Sequence, residues 1–533
     1  MRTASESPQP TPQTMPAGAI DHRAWRFTLI MVGLLTILRL GALFATPLEL
    51  YPDEAQYWLW SRELAFGYFS KPPMIAWLIW ATTQIGGDAE AWVRLSAPLL
   101  HGAAALVIHR IARKLYGGWA GLVAAAIYSL MPGVVLSSGL MATDAPLLFF
   151  LSLTIWGYVA LATETAPRRY FIAIGMGAAL GLAFLSKYAA IYALGSIVLH
   201  ALISREARHR WCPAAIVLFL FGFVLVLAPN FAWNAAHQFS TVKHTASNAN
   251  WGASSLFNFR ELIEFVGSQF GVFGPLPFAV LLGGAVWLGV KKRLESPDLL
   301  LLCFCAPPLI IVAAEAFVSR ANANWAGAAF VTGSVLAAGW LLRWNARRWL
   351  IGGLAVQGAF GLFFIACMVS PRIADATGLS NGFKRVRGWD QTVQAIIDRS
   401  REEEALRGGV TSVAMDDRFV YNAAAYYGRD YFGQPGAPPL RMWVHEAHPQ
   451  NQAETTAPLD VPHGRRALIV SLEGGYRPEI EQDFRKTSAL QIARVRLDKK
   501  RTRRVDLFIA EGFAPLPRDP VTGLPPRPVR KAD

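Results

Sequence analysis

Eleven apolar runs, each near the length that crosses a bilayer, constrain this 533-residue chain more than any other feature. A hydrocarbon core of about 30 Å needs roughly 20 apolar residues in a helix, because each residue rises about 1.5 Å. Runs near 27–46, 94–109, 119–137, 146–163, 170–186, 189–203, 213–230, 275–290, 299–314, 326–342 and 349–369 fit, and a stretch at 73–86 either spans or re-enters. The 34 residues from 170 to 203 would make one helix of about 51 Å, so two short spans turning at Ser186-Lys187-Tyr188 are expected. The fold class is therefore a polytopic α-helical membrane protein with about 11–13 spans.

A formal charge of +14, from 51 Lys+Arg and 37 Asp+Glu, would suit a nucleic-acid binder, but only 17% of the residues are charged and 53% are apolar. The charge is segregated: residues 371–533 carry 26 basic and 21 acidic side chains, which marks a soluble domain after the last span. Within the first 370 residues, the N-terminus and alternate loops hold 17 basic and six acidic residues, against eight and ten elsewhere. Short cytoplasmic loops retain Lys and Arg, so the N-terminus is expected in the cytoplasm and the C-terminal domain outside.

Residues 1–22 lack the pattern of a signal peptide and read as a disordered cytoplasmic leader. The membrane domain is expected over 23–370, a soluble α/β domain over 371–513 and a disordered Pro-rich tail over 514–533. In the soluble part, 389–406 reads as an amphipathic helix, 409–415, 467–471 and 505–509 as buried strands, and 479–486 as a second helix. Asp416-Asp417 reads as a helix cap or solvated turn. All four cysteines lie in or beside apolar spans, so no disulfide framework is implied.

Ionisable residues beside an apolar layer are costly, and each therefore raises a functional question. By the charge topology, five groups gather near the outer face. Asp53 and Glu54 follow the first span, ahead of Tyr57, Tyr68 and Lys71-Pro72-Pro73. Asp53 could equally cap a short interfacial helix. Asp144 is the only charged residue between Lys114 and Glu164; a cap there could be Ser or Thr at lower cost, which favours function. Lys187 stands alone between two short spans, either snorkelling or binding an anion. Arg39 lies about 12 Å inside its span and needs a carboxylate or phosphate partner. The tetrapeptide Asn-Ala-Asn-Trp occurs twice, ending at Trp251 after Lys243 and His244, and at Trp325 after Arg320.

The Asp-Glu pair at 53–54, the Lys-Pro-Pro at 71–73, the lone Asp144 and the soluble domain after the last span resemble the polyprenyl-phosphate-sugar-dependent membrane glycosyltransferases of the GT-C fold, glycosyltransferase family 39. These include the aminoarabinose–lipid A transferases and the protein O-mannosyltransferases. The resemblance covers essentially the whole chain. It implies a bacterial inner-membrane enzyme with a periplasmic active site, Asp53 and Asp144 at the family's acidic positions, and Lys71 on the lipid phosphate. Where the aminoarabinose enzymes carry a metal-associated Glu before that lysine, this chain has Ser70, so no metal or other cofactor is expected to be required.

The chemistry agrees. A polyprenyl phosphate is a leaving group that needs its charge neutralised, for which Lys71, Arg39 and Lys187 are the candidates. An acceptor hydroxyl must lose a proton, which asks for a carboxylate: Asp53 as base, with Asp144 positioning the acceptor. In-line displacement would invert the anomeric carbon. Glu54, Tyr57, Tyr68, Lys243, His244, Asn250, Trp251, Arg320 and Asn324 are the expected substrate contacts. The expected acceptor is lipid A or lipopolysaccharide, with a protein hydroxyl or another polysaccharide as alternatives. A secondary transporter, the reading from another class, would place its charges near the midplane and show matched halves, and neither is evident.

Overall fold

The computed structural model describes residues 17–247 and 257–527. Each of the eleven apolar runs coincides with helix, and 73–86 forms the helix Met74–Gly86. Among the described residues seven helices are long and apolar enough to cross a membrane, and Gly118–Leu130, Tyr188–Ile203, Ala329–Arg343 and Met74–Gly86 are apolar but shorter. The run at 275–290 is joined to a preceding helix: Phe259–Val272 and Pro275–Val290 meet at 120°. Gly274, at φ +105°, takes the left-handed turn between them, and Pro275 starts the second helix. The chain also breaks at Lys187, whose backbone is extended, as the length argument requires.

The first helix, Ala17–Ala45, and the helices Pro213–Ala236 and Arg347–Val369 leave large apolar side chains such as Leu34, Ile37, Leu225 and Leu362 more than half exposed. Apolar faces of this extent on span-length helices suit contact with lipid. Ala329–Arg343, in contrast, is buried along almost its whole length. Arg168–Ser186 and Pro213–Ala236 approach through glycines: a Cβ on Gly177 would sit 2.0 Å from the Phe219 carbonyl oxygen, and one on Gly222 would sit 2.3 Å from that of Ile174. Small residues at such contacts let membrane helices pack backbone to backbone.

The C-terminal domain is a six-stranded mixed sheet in the order β2-β1-β3-β6-β4, with β5 also on β6. The strands are β1 (Ser412–Met415), β2 (Leu440–Met442), β3 (Arg466–Leu472), β4 (Phe484–Thr487), β5 (Gln491–Arg496) and β6 (Thr502–Phe513). β1 pairs in parallel with β2 and β3, Val413 lying opposite Leu468, whereas β6 is antiparallel to β3, β4 and β5. The helix expected over 479–486 is shorter, Arg477–Gln482, and residues 484–487 are strand. The helix stops at Asp483, whose carboxylate accepts from the Trp443 indole and pairs with Arg518. The segment after Phe513, expected to be disordered, makes contacts as far as Leu524: Arg518 is held by Asp483, and the Asp519 N–H donates to the Leu524 carbonyl.

Asp417 is the helix cap that the sequence suggested, accepting from the Phe419 and Val420 N–H groups at the start of Arg418–Tyr427. Burial pushes the neighbouring Asp416 carboxyl up to about 6, although Ser471 Oγ and the Leu472 N–H donate to it. Between the ordinary value of 3.8 and about 6, the folded chain therefore holds a proton that the unfolded chain has lost. Stability should fall as pH rises through that window and then level off, by about 3 kcal/mol in all. Thermal melts of the purified protein from acid to neutral pH should show this slope, and Asp416→Asn should flatten it.

Candidate active site

The segment after the first span supplies the interfacial helix Pro52–Arg62, started by Pro52 and carrying Asp53 and Glu54 in its first turn, where the helix dipole favours anions. The two carboxylates have opposite fates. Glu54 is 2% exposed and ion-paired to Arg94, itself 1% exposed. It also accepts the Tyr51 and Met141 N–H groups, at 2.8 and 2.7 Å. Expected as a substrate contact, Glu54 is instead the clamp that ties the interfacial helix to the Met141 loop, with both oxygens occupied. Arg94→Ala should destabilise the protein by about 3–5 kcal/mol, because it strands a buried carboxylate, and should lower the melting temperature accordingly.

Asp53 is 38% exposed and meets Arg418 of the C-terminal domain, Oδ1 to Nη1, at 3.2 Å. The same Nη1 donates to Gln56 Oε1 at 2.6 Å. Among the described residues no group occupies Asp53 Oδ2. Asp144 opens the helix Asp144–Leu161, but its side chain does not cap it. Its Oδ1 takes an ion pair from Lys187 at 2.9 Å, and its Oδ2 accepts from Asn324 Nδ2 at 3.4 Å. One carboxylate thus joins three of the groups singled out in the sequence: the lone acid, the lone lysine and the second Asn-Ala-Asn-Trp copy.

Lys71 lies between the interfacial helix and Met74–Gly86 and has no ion-pair or hydrogen-bond partner for its ammonium among the described residues. Burial, then the charge of Lys187, hold its pKa below the usual 10.5, opposed by Asp53 and Asp144. It lines a cavity of about 690 Å³ together with Lys187 and Glu315, and much of the remaining wall is apolar, with Phe184, Ile191, Leu227 and Phe231. Tyr188, Asn230 and Asn234 form a linked set on its wall: Asn234 Nδ2 donates to Tyr188 Oη, which donates to Asn230 Oδ1. A second cavity of about 1010 Å³ is lined by Gly67, Tyr68 and Phe69, whereas Ser70, Lys71 and Pro72 line the first. The 67–72 loop therefore divides the two. The second cavity continues onto the C-terminal domain at Tyr421, Asn422 and Gln452.

The other expected contacts divide. Tyr57 is buried in the site; burial first, then Asp53, raises its phenol well above the usual value and keeps it a neutral donor. His244 packs against Phe69, its pKa lowered by burial and by Lys71 and Arg418. The Tyr68 hydroxyl is engaged within its own loop, its one proton shared between the Trp60 and Glu63 carbonyls while its oxygen accepts the Ala65 N–H. Lys243 and Arg320 are exposed and bond to none of Asp53, Asp144 and Lys71. Asn250 and Trp251 lie outside the described residues. Arg39 is 6% exposed and donates to the Ser129 backbone carbonyl, not to a carboxylate or phosphate. That carbonyl is available because Gly118–Leu130 ends one residue later. Among the described residues no three imidazole, thiol or carboxylate groups gather as a metal would need.

The residues that sequence reasoning missed are Arg418, Gln56 and Glu315. A capping Asp417 signals a helix starting at Arg418, but no spacing tells that this helix packs on one 365 residues earlier.

Residues 70–233 match the family described as dolichyl-phosphate-mannose-protein mannosyltransferase. A lipid A galacturonosyltransferase of Rhizobium johnstonii is 35% identical over 75% of this chain and 82% of its own. An undecaprenyl phosphate-α-4-amino-4-deoxy-L-arabinose arabinosyl transferase of Proteus mirabilis is 24% identical over 55% of this chain and 56% of its own. The fold is that of ArnT from Cupriavidus metallidurans, whose undecaprenyl phosphate-bound crystal structure superposes with a TM-score of 0.61 at 16% identity, over 90% of this chain and 97% of that one.

Proposed function

The chain belongs to the polyprenyl-phosphate-sugar-dependent membrane glycosyltransferases of the GT-C fold, and from that premise we propose that it transfers galacturonate from a polyprenyl phosphate to lipid A on the periplasmic side of the inner membrane. The observation that carries the donor is the apolar cavity with the uncompensated Lys71 at its polar wall, next to Lys187. Its walls suit prenyl units, and Lys71 suits their phosphate. The galacturonate and the lipid A acceptor follow the name of the 35% identical relative. The periplasmic side follows the distribution of Lys and Arg among the loops.

In this reading the acceptor approaches from the second cavity. Asp53 Oδ2 takes the proton of the attacking hydroxyl, and the Asp144–Lys187 pair holds the opposite side of the reacting centre. The polyprenyl phosphate leaves with its new charge against Lys71. Where the attacking group is a phosphate, it arrives ionised and needs no base, so Asp53 takes no proton.

Purified protein incubated with lipid A and either undecaprenyl phosphate-galacturonate or undecaprenyl phosphate-aminoarabinose tests this by mass spectrometry. Free undecaprenyl phosphate and galacturonosylated lipid A are expected from the first donor. Turnover of the aminoarabinose donor alone would reassign the sugar, and turnover of neither would reject the reading.

A further inference from the structure

The contact between Asp53 and Arg418 is unlike the other ion pairs of the site because it crosses from the C-terminal domain to the membrane domain. Both partners are more than a third exposed, at 36% and 38%, and such pairs contribute little to stability. The interface around them does not depend on them. Tyr426 packs edge-on against Trp58 at 4.9 Å and donates to the Asp88 carbonyl, and Tyr427 Oη accepts the Leu50 N–H at 2.7 Å. Asn422 Nδ2 donates to Gln56, and Gln452 accepts the Phe69 N–H at 2.8 Å.

These contacts lay the helix Arg418–Tyr427 on the interfacial helix and fix where Arg418 emerges. Asp417 caps its first turn, and the guanidinium lies over the Phe419 ring at 4.7 Å. From there a single nitrogen bridges Asp53 Oδ1 and Gln56 Oε1, one helical turn apart on the same face. A carboxylate held by one oxygen to a fixed donor has its rotamer set, and its other oxygen is left for a substrate proton. Asp144 differs in this respect, since both of its oxygens are engaged.

We infer that Arg418 is a positioning residue for Asp53, so that docking of the C-terminal domain completes the active site and does more than choose an acceptor. The inference rests on Asp53 being the base. It assigns the domain a direct part in the rate: the guanidinium is always charged, accepts no proton, and orients the carboxylate without competing for the acceptor.

The test uses the full-length protein with undecaprenyl phosphate-galacturonate and lipid A, comparing wild type, Arg418→Ala, Arg418→Lys and Asp53→Asn. Arg418→Ala should lower kcat about tenfold to a hundredfold, the effect of removing one hydrogen bond to a charged group, with the donor KM and melting temperature unchanged. Added methylguanidinium and the Arg418→Lys substitution should each return part of the rate, since the position is open to solvent. A purely structural contact would give no such rescue. An unchanged kcat, a loss that tracks a fallen melting temperature, or a loss that neither guanidinium nor lysine repairs would overturn the inference. The two layers separate cleanly: silent Arg418→Ala beside inactive Asp53→Asn removes Arg418 only, whereas active Asp53→Asn removes the base on which the inference stands.

Discussion

Asp53→Asn is expected to reduce sugar transfer to a hydroxyl acceptor by about a thousandfold, within the range of roughly 10² to 10⁴ that a positioned general base contributes, while the protein still inserts and folds. The amide keeps the size of the carboxylate and can still accept from Arg418 through its oxygen, so the interfacial helix and the domain contact should survive. What it lacks is a second oxygen able to hold a proton. Asp144→Asn should behave differently. Asp144 is committed to Lys187 and Asn324, so its loss frees a lysine and loosens the cavity wall, and the donor KM should move along with the rate. Initial rates over a range of donor concentrations separate these outcomes, and a retained rate in Asp53→Asn would take Asp53 out of the proton transfer. A phosphate acceptor would show a smaller loss, because it arrives without a proton to remove.

The spans were legible because a bilayer leaves few alternatives to a long apolar helix. The bent pair at Gly274 was not, since Phe259–Val272 carries Arg260, Glu261 and Glu264 and falls below the composition of a span. Asp144 and Lys187 stood out for the same reason that they pair: each is an isolated charge that lipid would penalise. Cost alone does not name the partner, however, and Arg39 shows the limit, because a helix-end carbonyl satisfied it where a phosphate was expected. Glu54 shows the converse, since the motif that drew attention to it includes one residue for chemistry and one for scaffold. Burial distinguishes the two, and burial depends on Arg94, which lies 40 residues on with no spacing that links it to Glu54. In the C-terminal domain, β2, β4 and β5 are only partly buried, so they lack the apolar runs that revealed β1, β3 and β6.

Lys71→Ala is expected to lower kcat/KM for the donor by about a hundredfold to a thousandfold, the scale on which a preorganised donor to developing charge acts. The charges around the site explain why this lysine and not another. Arg418 is matched by Asp53 and Lys187 by Asp144, which leaves Lys71 as the cation without a partner among the described residues. A polyprenyl phosphodiester brings its negative charge to Lys71; when the sugar leaves, the phosphate gains charge, and Lys71 is the group free to respond to it. The lowered pKa of Lys71 gives the second readout. Its ammonium loses its proton at a pH below that of an ordinary lysine, so kcat/KM for the donor should fall on the alkaline side, below the usual 10.5. Lys71→Arg should keep part of the activity and move that alkaline limb upward, because a guanidinium does not titrate there. Donor saturation curves for Lys71→Ala that overlay those of the wild type would place the phosphate elsewhere, and Lys187 would then have to leave Asp144 to meet it.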